Sequence, residues 1–496
     1  MTEVTRSHPL GVSRPDLAIA DLPEPEEVFG VSRLGTKELF KYAVGPSLIA
    51  LGISIGSGEW LLGPQAVGQY GFVGVGWVIL VSAILQTFYN VECSRYVLAT
   101  GESPVVGWGR VPPGFALWVP LSAFIIIFAF IAGGWAASAG QGVYALVHGE
   151  VALRRRGAAA VGDRPAPARL RHHRRRPQDQ PDPGTRQLGH GRRDPGRAAA
   201  RRPLRRAVRD LVGRDPRLRH PRRAAAGITA TQLGGLAGFT ALASGLNWYV
   251  MGHYRDKGYG MGYRTGFIAG LRGPKSELLD SGVTFPDNPA NAGRWRRWYR
   301  LLLMDMWGVF FVGAILGMLL PTILMARAVE LSGQRPTQAN VPTFVASALG
   351  DEYGQAMFVG ALILGVLILF STQLGIFEGM VRVVTDAAHA TSPRLRVLIE
   401  GDPRRFYYPF MFGLLVVIAI VLHLALPISL VQWSANMSNL GALIYPFMLM
   451  YLNSKLPRPA RPRWWHYVIL VLNFLFFGFF FVNFIADFVG DPLVTF

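Results

Sequence analysis

With 496 residues, 51% of them hydrophobic, a mean hydropathy of +0.28 and several apolar runs of about 20 residues, the chain is excluded from the soluble globular class. Its one cysteine, Cys93, excludes intrachain disulfides and thiolate metal clusters. The net charge of +19 is local: residues 151–225 hold 23 Arg against 6 Asp, and the rest of the chain is close to neutral.

Residues 1–40 are polar and mixed in charge, with no signal-peptide pattern, and read as a cytoplasmic N-terminus. Helical spans are expected near 44–69, 72–95, 115–147, 227–250, 301–326, 355–386, 407–426, 429–452 and 465–489. The first three fall in a block over 41–150, and the last six in a block over 226–496. The first span is the most informative. It runs Gly45-Pro-Ser-Leu-Ile-Ala-Leu-Gly-Ile-Ser-Ile-Gly-Ser-Gly-Glu59, so a glutamate stands near mid-membrane beside Gly56, Ser57 and Gly58. A bare carboxylate there costs several kcal/mol, roughly. Glycines loosen the helix, and unpaired backbone at that depth is tolerated only against protein, water or a solute. A carboxylate beside loosened carbonyls is a candidate cation site, with Glu59 as its metal ligand. The fourth visible span repeats the pattern, with Gln232, Gly234, Gly235 and Gly238 near its centre.

Between these blocks lies the Arg/Pro-rich segment. It has no Phe, Tyr, Trp, Ile, Met or Lys, and no window in it is apolar enough to span. Such a vocabulary is what a GC-rich gene gives when read out of frame. The expectation is a compensated frameshift that replaced two transmembrane helices, leaving residues 151–225 poorly packed. The other reading is a genuine disordered basic loop, which the prolines and charge allow. A nucleic-acid-binding insert is disfavoured because aromatic platforms are lacking. Lys and Arg crowd the 253–300, 388–405 and 454–464 loops. That bias places those loops and the N-terminus in the cytoplasm and the C-terminus outside. Trp464 and Trp465 suit the interface.

Three motifs carry a family resemblance: Gly45-Pro46 opening the first span, the break Ile55-Gly-Ser-Gly-Glu59, and Tyr254-Arg-Asp-Lys-Gly-Tyr-Gly-Met-Gly262. Together with span order they resemble the Nramp metal-ion transporters, in particular their Nramp-related bacterial branch. The resemblance implies an all-α polytopic membrane protein of the LeuT-like inverted-repeat transporter fold. That fold has eleven spans, nine of them visible here, with helices four and five lost. It also implies breaks in helices one and six and a bacterial plasma-membrane location. The chain departs from the family where Asp-Pro-Gly-Asn is replaced by Gly56-Ser57-Gly58-Glu59 and where Met-Pro-His is absent from 227–250. Oxygen ligands without methionine suit a harder cation, so magnesium stands beside manganese as a substrate.

Further candidates for the pathway are Gln373, Glu378, Asn436 and Asn439. Each has a structural alternative: Glu378 as an i,i+4 partner of Arg382, and the asparagines as helix caps or interhelical bonders. Asp305 and the Glu92–Arg95 pair read as interfacial, and His423 as structural. The leading reading is a secondary transporter, a symporter of a divalent cation working by alternating access. It needs no cofactor and no nucleic-acid partner; its partners are the bilayer and the ion. The alternative is a transporter of a small organic solute such as an amino acid. A membrane enzyme is disfavoured by the absence of His-Glu-x-x-His and Gly-x-Ser-x-Gly.

Overall fold

The computed structural model describes residues 17–33, 35, 51–52, 55–56, 58–149, 228–240, 242, 245–265, 281–400 and 402–490. All belong to one compact unit formed by Met1–Val151 and Ala225–Phe496; a second unit, Ala152–Ala224, lies outside the described residues. The expectations for residues 151–225, for Ser57 and for most of the first half of span one therefore also lie outside them.

The architecture is helical. After a two-residue strand β1 (Ala18–Ile19) and the short α1 (Pro25–Phe29), a π-helical turn Gly58–Leu62 runs into α2 (Gly63–Tyr70). Gly71, with φ 79°, separates it from α3 (Phe72–Thr100). Next come α4 (Pro104–Trp108), α5 (Phe115–Phe130), α6 (Gly134–His148), α7 (Ala230–Phe239) and α8 (Leu246–Asp256). Strand β2 (Val283–Thr284) pairs in parallel with β1. Helix α9 (Pro289–Leu303) continues through a π-helical stretch, Met304–Phe311, into α10 (Val312–Ser332). The chain ends with α11 (Val341–Tyr353), α12 (Gln355–Thr391), α13 (Pro393–Leu398), α14 (Arg404–Val421), α15 (Pro427–Ser454) and α16 (Trp464–Val489).

Among the described residues, six helical stretches are long and apolar enough to cross a membrane: Gly74–Thr100, Phe115–His148, Pro289–Ser332, Gln355–His389, Arg404–Val421 and Trp464–Val489. The chain is an all-α polytopic membrane protein. Three of the nine expected spans are not in that set, for physical reasons. The first and fourth are broken into shorter pieces. The eighth, α15, is long enough but carries Gln432, Ser434, Asn436, Ser438 and Asn439, which lower its hydropathy. Most of these polar residues face protein: Ser434, Asn436, Ser438 and Asn439 are buried.

The third expected span is also interrupted. Gly133 takes φ 61° between α5 and α6. At the next residue, a β-carbon on Gly134 would stand 2.5 Å from the Pro427 carbonyl oxygen, so glycine permits the close crossing of α15. The fifth visible span starts well before residue 301, because the amphipathic α9 joins it without a break.

Candidate functional site

In the first broken helix the chain bends at Ile55 and Gly56. Ile55 N–H still donates back to Leu51 O at 2.7 Å, and Trp60 N–H donates to Gly56 O at 2.7 Å, opening the second half-helix. Glu59 stands in the first turn of that half-helix. Its Oε2 accepts the Gly56 N–H at 2.9 Å, the reach-back of a capping box. The carboxylate thus satisfies one orphan donor and places negative charge at the positive end of the half-helix. Glu59 is 0% exposed. Gly317 of α10 packs beside this turn: a β-carbon there would stand 2.9 Å from Ile55 Cγ1 and at an ordinary 3.6 Å from Glu59 Cγ.

The second break lies between α7 and α8. Helix α7 opens with a complete capping box: Thr229 Oγ1 accepts the Gln232 N–H at 3.2 Å and Gln232 Oε1 accepts the Thr229 N–H at 3.1 Å. It closes at Thr240, whose N–H donates to Leu236 O at 2.9 Å. The Phe239 carbonyl then points at Gly58, where any β-carbon would overlap the carbonyl oxygen. The two breaks therefore touch. The carbonyl end of α7, with its partial negative charge, meets the turn that carries Glu59.

The glycines of α7 have a definite use. Gly234 and Gly238 pack on α15: a β-carbon on Gly234 would overlap Asn436 Oδ1, and one on Gly238 would stand 2.8 Å from Asn439 Oδ1. Gly235 faces Asn436 and Leu62 at ordinary contact distances of 3.4 and 3.8 Å for such a β-carbon. Asn436 Nδ2 donates to Thr231 O at 3.0 Å and Gln432 O at 2.9 Å, and Asn439 Nδ2 donates to Gly234 O at 3.0 Å. Both asparagines sit within α15, not at its start, and stitch it to α7.

The remaining sequence candidates lie apart from the crossing. Gln232 sits in the first turn of α7, where its Oε1 also accepts from Tyr70 OH at 2.9 Å. Gln373 is buried, and its Oε1 accepts the Ala136 N–H at 3.3 Å in the first turn of α6. Glu378 is exposed, and the expected partner Arg382 donates to Asp256 on α8. Asp305 is 2% exposed and accepts from Tyr254 OH. His423 is exposed just past the end of α14. Glu92 and Arg95 do pair, at 3.0 Å, and both are buried.

Two groups at the crossing are absent from the sequence reading. Thr372 of α12 is 2% exposed; its hydroxyl donates to Ile55 O at 3.3 Å and its side chain fills the space a β-carbon on Gly56 would need. A polar Ser371-Thr372-Gln373 triplet inside an apolar helix is the signal that marks it. Gln373, the candidate named from sequence, is its neighbour, about 100° of helix rotation away. The other is the Phe239 carbonyl, which no side-chain pattern reveals. Among the described residues no group of three or more His, Cys, Asp or Glu is arranged to hold a metal. Any cation at the crossing would be held by one carboxylate with carbonyl and hydroxyl oxygens.

No protein-family model matches the chain, and no curated protein does. Three solved structures of the Eremococcus coleocola manganese transporter are similar to it. One point mutant is 12% identical with a TM-score of 0.46, covering 96% of this chain and 92% of that one. A second mutant is 12% identical with a TM-score of 0.45 over the same shares. The transporter in complex with an aromatic bis-isothiourea substituted compound is 10% identical with a TM-score of 0.40, covering 93% and 91%. Likeness of this extent names neither family nor cargo, so both rest on the chain's own residues.

Proposed function

We propose that the chain is a secondary transporter that carries a divalent metal cation across the membrane by alternating access, with the ion bound where the two broken helices touch. Glu59 supplies the charge. Backbone oxygens near Ile55, Gly56 and Phe239 and the Thr372 hydroxyl supply neutral donors. Gly58 permits the approach. An oxygen-only set suits magnesium or manganese. On this reading the basic loops and the N-terminus face the cytoplasm of a bacterium. Helices four and five, displaced by the segment over 151–225, complete the first of two inverted repeats.

The observation that carries this reading is the capping of Gly56 by Glu59 at the half-helix N-terminus. A half-helix N-terminus otherwise attracts an anion, which is how an amino-acid carboxylate would be held. Here the chain has filled that place with its own carboxylate, so a second anion is repelled and a cation attracted. The organic-solute alternative is accordingly disfavoured.

Equilibrium binding of Mn²⁺ and Mg²⁺ to the purified chain in detergent tests the site. Glu59→Gln keeps size and the Gly56 hydrogen bond while removing the charge, and is expected to weaken binding at least about tenfold, or ~1.4 kcal/mol. Glu378→Gln is expected to change nothing. In a chain whose reading frame is restored across 151–225, Glu59→Gln is expected to abolish uptake. Unchanged binding by Glu59→Gln rejects the proposal.

A further inference from the structure

Residues 17–33 lie outside every expected span, and no role above uses them. They form a strap along one end of the bundle. Ala20 N–H donates to Thr284 O at 2.9 Å, extending the pairing of β1 with β2. The strap then runs along α9. Leu22 N–H donates to Asn291 Oδ1 at 3.2 Å, and Trp298 Nε1 donates to Pro23 O at 2.9 Å. Glu24 pairs with Arg294 at 3.1 Å and with Arg297, and Glu26 pairs with Arg297 at 3.2 Å. Finally Phe29 packs edge-on against Tyr259 and Trp298, with ring centroids 5.1 and 5.5 Å apart.

What lies beneath Phe29 gives the strap a purpose. Tyr259 and Trp298 line a crevice together with Leu98, Tyr254 and Asp305, and it is too narrow to admit water. Tyr254 OH donates to the buried Asp305. Asp305 opens the π-helical stretch of an apolar span, and such a widened turn often marks a functional position. A buried carboxylate in a membrane helix is itself a functional expectation.

We propose that residues 17–30 are a releasable strap: docked, they keep the crevice above Asp305 dry, and undocked, they open it to water. The anchoring chemistry fits release. The strap is acidic at Asp21, Glu24, Glu26 and Glu27, and the facing helix carries Arg294, Arg296, Arg297 and Arg300. Their ion pairs are half-exposed, with Arg297 at 48% and Glu24 at 34%. Exposed pairs are individually weak and screened by salt, so this segment can open without unfolding the helices below. The inference holds whatever the cargo is.

Thiol labelling tests it in the full chain, without any transport assay. Leu98→Cys is introduced with Cys93→Ala and exposed to a maleimide in detergent. Slow labelling is expected, rising about tenfold in Phe29→Ala and in the pair Glu24→Arg and Glu26→Arg, as ~1.4 kcal/mol of lost docking gives. Adding Arg294→Glu and Arg297→Glu to that pair restores charge complementarity and is expected to restore slow labelling. Raised salt is expected to speed labelling of the chain with its native strap. Equal labelling rates in all variants overturn the proposal. So does fast labelling that the fourfold charge swap leaves unreversed, since that reports general loosening instead of strap release.

Discussion

The two ends of the helical unit are held by different chemistry. At the end where the strap docks, buried ion pairs dominate. Arg255 pairs with Asp386 at 3.0 Å and with Asp256 at 3.2 Å, and Arg382 also reaches Asp256, joining α8 to α12. Glu92 accepts from Arg95 at 3.0 Å and from Asn453 at 3.0 Å, and lies 2.8 Å from His466 Nδ1, joining α3, α15 and α16. Glu102 takes Arg110 at 2.6 Å and Tyr96 OH at 2.7 Å. Outside the spans, burial works to lower the Arg110 pKa, and the Glu102 carboxylate raises it by more, so the pair stays charged. Among the described residues the ties at the opposite end are fewer. Tyr70 OH donates to Gln232 Oε1 at 2.9 Å and Gln69 Nε2 to Pro336 O at 3.2 Å. Thr231 meets Asp487 there, and the Arg327–Glu330 pair is exposed.

On the proposed function, that contrast has a mechanical meaning. Buried pairs hold geometry tightly, yet they do so only while both partners stay in place. Neutral, partly exposed hydrogen bonds can be exchanged for water at little cost. On the proposed function, opening at the strap end requires several charged contacts to part together, whereas opening at the other end does not.

The largest effect is expected from breaking the charged end. Arg255→Ala leaves Asp386 buried without that partner, and Arg255 itself is only 4% exposed. Loss of one member of such a pair costs about 3–5 kcal/mol. Denaturant unfolding in detergent measures it. A cost below ~1 kcal/mol would remove the claim that ion pairs hold this end.

An intermediate effect is expected at the waist between the ends. Gly58→Ala places a methyl group on the Phe239 carbonyl, which is backbone and cannot rotate away. Overpacking of this kind costs about 1–3 kcal/mol. The same change pushes the two breaks apart, so cation binding should fall with stability. Gly52→Ala is the control, since nothing lies within 4 Å of a β-carbon there. Equal outcomes for the two alanines would show that the approach at Gly58 is unimportant.

Much of this was legible in sequence for a physical reason. Apolar length and glycine interruptions are local properties, so the spans and the first break could be read from runs of residues, whereas the second break, expected at Gly234–Gly238, falls past Phe239 because α7 is continuous over Ala230–Phe239. Glu59 announced itself because a carboxylate at that depth has to be placed inside. Pairings across helices were not legible. Arg382 has Glu378 at i,i+4 spacing but finds Asp256 on another helix. Asp305 pairs with Tyr254, 51 residues away, which no local pattern shows. The polar residues of α15 and the glycines of α7 were each visible, but that they pack on one another was not. Backbone groups such as the Phe239 carbonyl carry no residue signature.

The smallest effect is expected at the end opposite the strap, and it is the sharpest check on the contrast. Tyr70→Phe removes the hydroxyl that donates to Gln232 Oε1. That oxygen also accepts the Thr229 N–H at 3.1 Å, so no buried acceptor is orphaned. Gln232 and Tyr70 are both only partly buried, and water can replace the lost donor. The expected cost is about 0.5–1 kcal/mol, the net worth of an ordinary hydrogen bond. Neither partner is charged, so the cost should be the same in low and high salt, whereas the strap's ion pairs should weaken as salt rises. Unfolding of Tyr70→Phe and Arg255→Ala, compared in one detergent at two ionic strengths, decides the matter. If the two substitutions prove equally costly, the ends are held alike and the asymmetry drawn from the buried ion pairs does not govern which end opens.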